Sequence, residues 1–447
     1  MRLRSRPDAT RPIGRFPTKR PFSTYSEKNL ASLKVLDLFA GCGGLSCGLE
    51  LAGFDVIAGN DISPFAAQSH ARNHKNSRFF LGSITEPGVR EPLIAHARAV
   101  GVDVVVGGPP CQAYSLAGKR DVDDSRGHLH EDYVAVVDAL QPKVFVMENV
   151  KGILSIRHDR GALSVEDAKA LEEIKALEKE QIALRKRRKQ SKNTERFQYV
   201  EADAERLKAI GTELAHLNKA GESLRESVPE RIVRSLAAIG YRVEYKLLNA
   251  ADYGVPQRRE RVIFIGTRLD VPIVFPMPTH REPSSNGSLV DADLPEWVTT
   301  REAITDLETR EVDIEWSHEF TRHKPDFVDR LHRTPVGGSV YEGYSDAWYR
   351  QPPDEPSRTV KENHGGVFVH YNQPRVMTPR ELARLQSFPD DFIFSGPKSK
   401  VLVQIGNAVP PGLGAAIGRS VRKMLEGCTE PPAKPRSGKG ARSSARV

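Results

Sequence analysis

The chain has 447 residues, 39% of them hydrophobic, and a formal net charge of +8. That length admits two or three domains, and the lack of any run of about 18 apolar residues argues against a helical membrane span. Cys42, Cys47, Cys111 and Cys428 form no C-x-x-C pair and have no histidine at metal spacing, which points to a reducing compartment and away from a structural metal. The N-terminus carries Arg and Pro without the apolar core of a signal peptide.

Residues 1–30 hold eight Lys/Arg and two acids, and residues 428–447 hold five and one; these net charges of +6 and +4 leave the remainder at −2. Both ends read as basic disordered tails, either solubilising or lying along nucleic-acid phosphates. A first strand is predicted at 35–39, then a turn, Ala40-Gly41-Cys42-Gly43-Gly44, and a helix over 45–52. A dinucleotide site would follow the strand with G-x-G-x-x-G. Here Ser46 takes the third glycine's place, which fits either a cofactor without phosphates or an ordinary tight helix start. The next strand, 55–59, leads to Asp61, an acid about 20 residues past the turn and placed to accept ribose hydroxyls.

Residues 103–115, DVVVGGPPCQAYS, run from a buried strand through two glycines and two prolines to Cys111. Ligands in open α/β sheets bind beyond the carboxyl ends of strands. The thiol is therefore either a site group on a stiff turn or a small buried hydrophobe. The polar, glycine-bearing stretch 112–128 suits a lid. A further buried strand ends in Glu148-Asn149-Val150, where the acid is a helix cap or a site group.

Between 160 and 226, Leu163, Ala170, Leu177 and Leu184 recur every seven residues with Ile174 between them. Val200, Leu207 and Leu214 repeat likewise, with Ile210, Leu217 and Leu224 in the alternate register. The pattern predicts an inserted antiparallel hairpin of two helices, each of about 25 residues and roughly 35–40 Å long, with the basic stretch 185–192 as its tip or link. That tip either touches DNA backbone or a partner, or is simply solvated. The chain returns to the sheet at 227–266, with a helix near 228–239 and strands near 242–248 and 261–266. Gln257-Arg258-Arg259-Glu260-Arg261 crowds the mouth of the last strand, either as a solvated face or to hold an electron-rich ring or a phosphate. Residues 267–373 lack periodicity and are rich in Pro, Gly, His and aromatics, among them Trp297, Trp316, Tyr341, Tyr344, Trp348 and Tyr349.

Pro-Pro-Cys-Gln, Glu-Asn-Val and Gln-Arg-Arg-Glu-Arg, in this order and each at a strand edge, resemble the motifs of the bacterial-type DNA cytosine-5 methyltransferase family. So do VLDLFAGCGGLSCGLELAGF at 35–54, TPRELARLQSFPDDF at 378–392 and QIGNAVPPGLG at 404–414. DNA adenine methyltransferases carry an aromatic residue after Pro-Pro, where this chain has Cys111. The resemblance implies an α/β, doubly wound, Rossmann-like sheet with a smaller irregular target-recognition domain. It divides the chain into a catalytic domain at 31–266 with the hairpin inserted at 160–226, a DNA-reading domain at 267–373 and a return to the catalytic domain at 374–427.

The implied reaction methylates carbon 5 of cytosine in double-stranded DNA at a specific sequence, with the base flipped from the helix. Cys111 adds to carbon 6 as a thiolate, with Arg259 and Arg261 as the cations that lower its pKa. Glu148 relieves the charge at ring nitrogen 3 as a protonated acid in a water-poor pocket. The cofactor is S-adenosylmethionine. By resemblance Asp61 takes the ribose, Ile62 the adenine and Phe39 the methionine half, with Gly41, Gly43, Gly44, Leu45, Ile84, Pro109, Leu129, Asn407 and Val409 as further cofactor contacts. Ser83 stands where the family usually has an acid for the adenine amino group. The final base is not identified. Transfer-RNA cytosine methyltransferase and a catalytically dead DNA-binding fold are the alternatives. A monomer in the bacterial cytoplasm, at the nucleoid, is expected, with a cognate restriction endonuclease as a possible functional partner.

Overall fold

The computed structural model describes residues 32–110, 129–159, 165–191, 200–220, 225–283, 293–341, 348–362 and 368–427. Both tails, Cys111, the 112–128 stretch, Leu163 and Leu224 lie outside them. The chain falls into two compact units, one within Met1–Gln112, Val122–Lys151 and Leu236–Val447 and the other holding Gly152–Ser235.

The first unit begins with alternating strands and helices: β1 (Lys34–Leu38), α1 (Gly44–Leu51), β2 (Asp55–Asp61), α2 (Pro64–Asn73), β3 (Arg78–Leu81), α3 (Pro87–Val100), β4 (Val104–Gly107), α4 (Leu129–Leu140) and β5 (Val144–Val150). Strands such as Val104-Val105-Val106 are buried throughout, as expected of parallel strands covered on both faces. In the second unit lie β6 (Arg157–Asp159), α5 (Val165–Ser191), α6 (Glu201–Ala220), β7 (Arg225–Ser227) and the start of α7 (Val228–Ala238). The sheet then gains β8 (Arg242–Asn249) and β9 (Glu260–Thr267), giving seven strands in the order β3-β2-β1-β4-β5-β9-β8. The first five are parallel, and β9 runs antiparallel to both β5 and β8. This is the doubly wound α/β sheet expected from the sequence. Strand 35–39 ends one residue early because Phe39 turns to φ 55°.

Elements beyond the sheet are short: α8 (Thr300–Ile304), α9 (Pro325–Arg333), a parallel ribbon of β10 (Tyr349–Arg350) and β11 (Phe368–Val369), and α10 (Pro379–Leu385). Thr378 and Glu381 close a reciprocal capping box on α10. The unit ends with α11 (Lys398–Asn407) and α12 (Pro411–Glu426). One apolar core joins the sheet to α1 and α12 through Val35, Val106, Leu45, Leu49, Leu413 and Ile417. A second gathers Ile304, Trp316, Val360, Phe368, Phe388, Phe392 and Ile405, together with Cys42 and Cys47, the two packing thiols. The expectation of no membrane-length apolar stretch needs one qualification. Lys398–Glu426 reaches a mean hydropathy of 1.3, but it bends at Pro410-Pro411 into two helices and 78% of that window is buried inside the protein.

In the second unit, α5 and α6 share a seam of Ile174, Leu177, Leu184, Ile210 and Leu214. The pairs Arg206–Glu180 (2.7 Å) and Arg187–Asp203 (2.9 Å) fix an antiparallel register. Three details depart from the heptad reading. The helices have 27 and 20 residues. Leu171 is buried, because a straight helix of 3.6 residues per turn drifts off a seven-residue repeat, and Val200 is 50% exposed because it precedes α6. Residues 185–191 of the basic stretch are the last two turns of α5 and not a loop; cations there face the negative end of the helix dipole.

Candidate active site

The carboxyl ends of the parallel strands all open on one edge of the sheet, and β9 starts there because it runs the opposite way. At the end of β5, Glu148 forms an ion pair with Arg261, 2.7 Å from Oε1 to Nε. Its other oxygen, Oε2, faces the turn after β4, where a side chain on Gly108 would meet it at 2.8 Å. That residue must therefore be glycine for the acid to lie against the turn. Asn149 donates from Nδ2 to the carbonyl of Pro109 at 3.1 Å, and its Oδ1 accepts from Val150 N. The acid strand thus grips the proline turn that leads to Cys111.

The arginine-rich segment splits by strand alternation. Gln257, Arg259 and Arg261 are buried, whereas Arg258 and Glu260 are turned outward. Arg258 lies over the Trp297 ring, and Glu260 pairs with Lys151. Arg259 donates to the carbonyls of Val360 and Gly406, both at 2.9 Å. Burial, and then the charge of Arg261, weakens its hold on its proton, while Glu148 opposes the shift. Gln257 bonds Leu385 O, Gln386 Oε1 and Val360 N. The segment therefore both reaches the acid and ties in the 357–406 region.

Beyond β1, the turn takes positive φ at Phe39 (55°), Gly41 (55°) and Gly43 (95°). Asp61 holds its start: Oδ2 accepts from Gly41 N at 3.0 Å and Oδ1 from Ser63 N at 2.9 Å. Burial pushes the Asp61 carboxyl up. Next to it Ile62 is 71% exposed, an apolar side chain left open at a strand end. A side chain on Gly44 would meet the Val409 carbonyl at 2.5 Å, so α1 begins hard against the segment between α11 and α12. Leu45 and Val409 are buried, Leu129 is half-buried at the first residue of α4, and Asn407 is exposed at the last residue of α11. Ser83 bonds Thr85 Oγ1 at 2.8 Å, and Ile84 is buried.

The sequence profile of the C-5 cytosine-specific DNA methylase family matches residues 33–179 and 219–423. The chain belongs to that family. The methylase is 33% identical over 405 residues to the Type II methyltransferase M1.HphI of Haemophilus parahaemolyticus, a match that covers 88% of this chain and 87% of the relative. It is 31% identical over 394 residues to the Type II methyltransferase M.NgoFVII of Neisseria gonorrhoeae, covering 85% and 83%. A crystal structure described as a prophage-encoded DNA modification methyltransferase of E. coli shares the fold, with a TM-score of 0.58 at 23% identity, over 88% of this chain and 100% of the other. The protein is a DNA cytosine-5 methyltransferase, and its cofactor is S-adenosylmethionine. The exposed Ile62, the Asp61 carboxylate and the open turn after β1 are suited to hold a nucleoside with an amino-acid tail.

Reasoning from sequence missed three features of the methylase site. The carbonyl partners of Arg259 come from residues 101 and 147 positions away, and no local pattern marks them. The Asn149–Pro109 bond joins two motifs that lie 40 residues apart in the chain. Asp37, buried beneath the turn, did leave a signal: it is an acid inside the apolar strand Val35–Leu38.

Proposed function

We propose that this methylase works through Cys111 and reads a short sequence in double-stranded DNA with residues 267–373. The observation that carries the reading is the Glu148–Arg261 pair set against the Gly108–Pro109 turn, two residues before Cys111. In this scheme the Cys111 thiolate adds to carbon 6 of a flipped cytosine, and carbon 5 becomes nucleophilic. Glu148 donates a hydrogen bond to ring nitrogen 3 through the oxygen facing the turn, while Arg261 holds the other. Arg259 acts as a clamp, gripping two carbonyls, and serves with Arg261 as a cation that favours the thiolate. Asp61 and Ile62 hold ribose and adenine, Phe39 and the glycine turn the methionine half, and Ser83, Leu129, Asn407 and Val409 border them. The cofactor supplies the methyl group as a sulfonium. After transfer the carbon 5 proton leaves and Cys111 is expelled.

The names of the Type II relatives support a bacterial restriction-modification setting with a cognate endonuclease, and the reading adds a monomer at the nucleoid. Cys111→Ser should lower turnover by about 10³-fold or more with DNA binding retained, because a hydroxyl is scarcely ionised at neutral pH. DNA containing 5-fluorocytosine should trap the wild-type chain at Cys111, read by mass spectrometry. Near-normal turnover of the serine variant, or an adduct elsewhere, would overturn the mechanism.

A further inference from the structure

Asp37 is 1% exposed. Its Oδ2 accepts a 2.6 Å hydrogen bond from the hydroxyl of Ser46, which is buried in the first turn of α1. The turn Phe39–Gly43 is therefore held from both sides by carboxylates, Asp61 at its start and Asp37 at the helix that follows. The groups acting on Asp37 among the described residues are Ser46 from α1, Asp61 from β2 and Tyr133 from α4, and none is a cation. Tyr133 turns its hydroxyl to the carbonyls of Val105 and Val146 instead. Burial pushes the Asp37 carboxyl up to about 7; Ser46 pulls it down and the Asp61 charge adds to the rise. A buried carboxylate with no cationic partner is costly to the free protein. The cost is offset if a cation arrives with the ligand.

We propose that Asp37 is a positioning residue that selects the cofactor by charge: latched to Ser46, it sets the Phe39–Gly43 turn and, with Asp61, favours the sulfonium cation over the neutral thioether left after methyl transfer. This rests on that turn being the cofactor site. The consequence is functional, since a field that prefers the sulfonium lets the spent product leave. The direction with pH follows from the raised carboxyl. Below about pH 7 Asp37 is protonated and discriminates little; above it the carboxylate attracts the sulfonium, so the preference grows as pH rises.

The test is calorimetric titration of the full chain with S-adenosylmethionine and with S-adenosylhomocysteine between pH 6 and 8. The wild-type preference for S-adenosylmethionine should rise about tenfold across that range. Asp37→Asn should give a smaller ratio that does not change with pH. Ser46→Ala keeps the carboxylate but removes its hydroxyl donor, and should move the rise to higher pH; it decides the matter if the Asn variant does not fold. Equal weakening of both ligands in Asp37→Asn, with the ratio and its pH profile kept, would reduce Asp37 to a structural role and overturn the proposal. Failure of the wild-type chain to bind either ligand in a way that depends on Asp61 would instead overturn the placement of the cofactor site.

Discussion

The seven-stranded sheet and the stretch from 268 to 397 satisfy buried backbone groups in opposite ways. In the sheet, N–H and C=O groups meet each other along ladders, and the side chains between them are apolar. Among its described residues the later stretch has only short helices and a two-residue ribbon, so its carbonyls need other donors. Buried arginines supply them. Arg350 reaches five carbonyls, those of Leu331, Thr334, His370, Tyr371 and Gln373. Arg380 reaches those of Trp316, Pro389 and Phe392, and burial pulls its pKa down to about 10. Five donors in a rigid fork can serve an irregular chain path as no ladder can. Arg350, Arg380 and Arg384 are thus core material here, whereas Arg301, Arg310 and Arg330 of the same stretch stay exposed.

The contrast predicts unequal costs for truncation. Arg350→Met should destabilise the chain by more than about 3 kcal/mol, since several buried carbonyls lose their donor together. Leu36→Ala, at a fully buried position in β1, should cost about 2–4 kcal/mol. Urea unfolding measures both, and a loss below about 1 kcal/mol for Arg350→Met would break the comparison. Gly108→Ala probes the sheet edge where we place the chemistry. The added carbon meets Glu148 Oε2, the end of a side chain that can swing away, so turnover should fall about tenfold with little change in stability. The smallest effect belongs to the helical pair, whose centre, 180–218, the family profile skips. Replacing 162–225 with a Gly/Ser linker should leave a folded enzyme with the same methylation sites in bisulfite sequencing. If the end of α5 touches phosphates, the deletion should also flatten the salt dependence of DNA binding.

Periodicity and breakers placed six of the seven sheet strands, because apolar runs bounded by glycine and proline are local signals; the four-residue edge strand β3 was not among them. The heptads revealed α5 and α6 for the same reason, though a repeat of seven could not say that Leu171 would be buried and Val200 left open. The order of Pro-Pro-Cys, Glu-Asn-Val and Gln-Arg-Arg-Glu-Arg made the family legible, and the topology brings the strand ends that carry Pro109, Glu148 and Arg261 to one edge. The opposed roles of Arg258 and Arg259 were not legible, because in the sequence they are two adjacent arginines.

The sequence by itself determined the fold class and the family, and it named the residue types of the candidate site, all from short stretches of chain. Only the tertiary structure decided which oxygen of Glu148 pairs with Arg261, which carbonyls Arg259 grips, and that Asp37 lies buried with no cation against it among the described residues. Those facts depend on contacts between segments far apart in the chain, and burial and hydrogen-bond partners are properties of the packed molecule that no local pattern encodes.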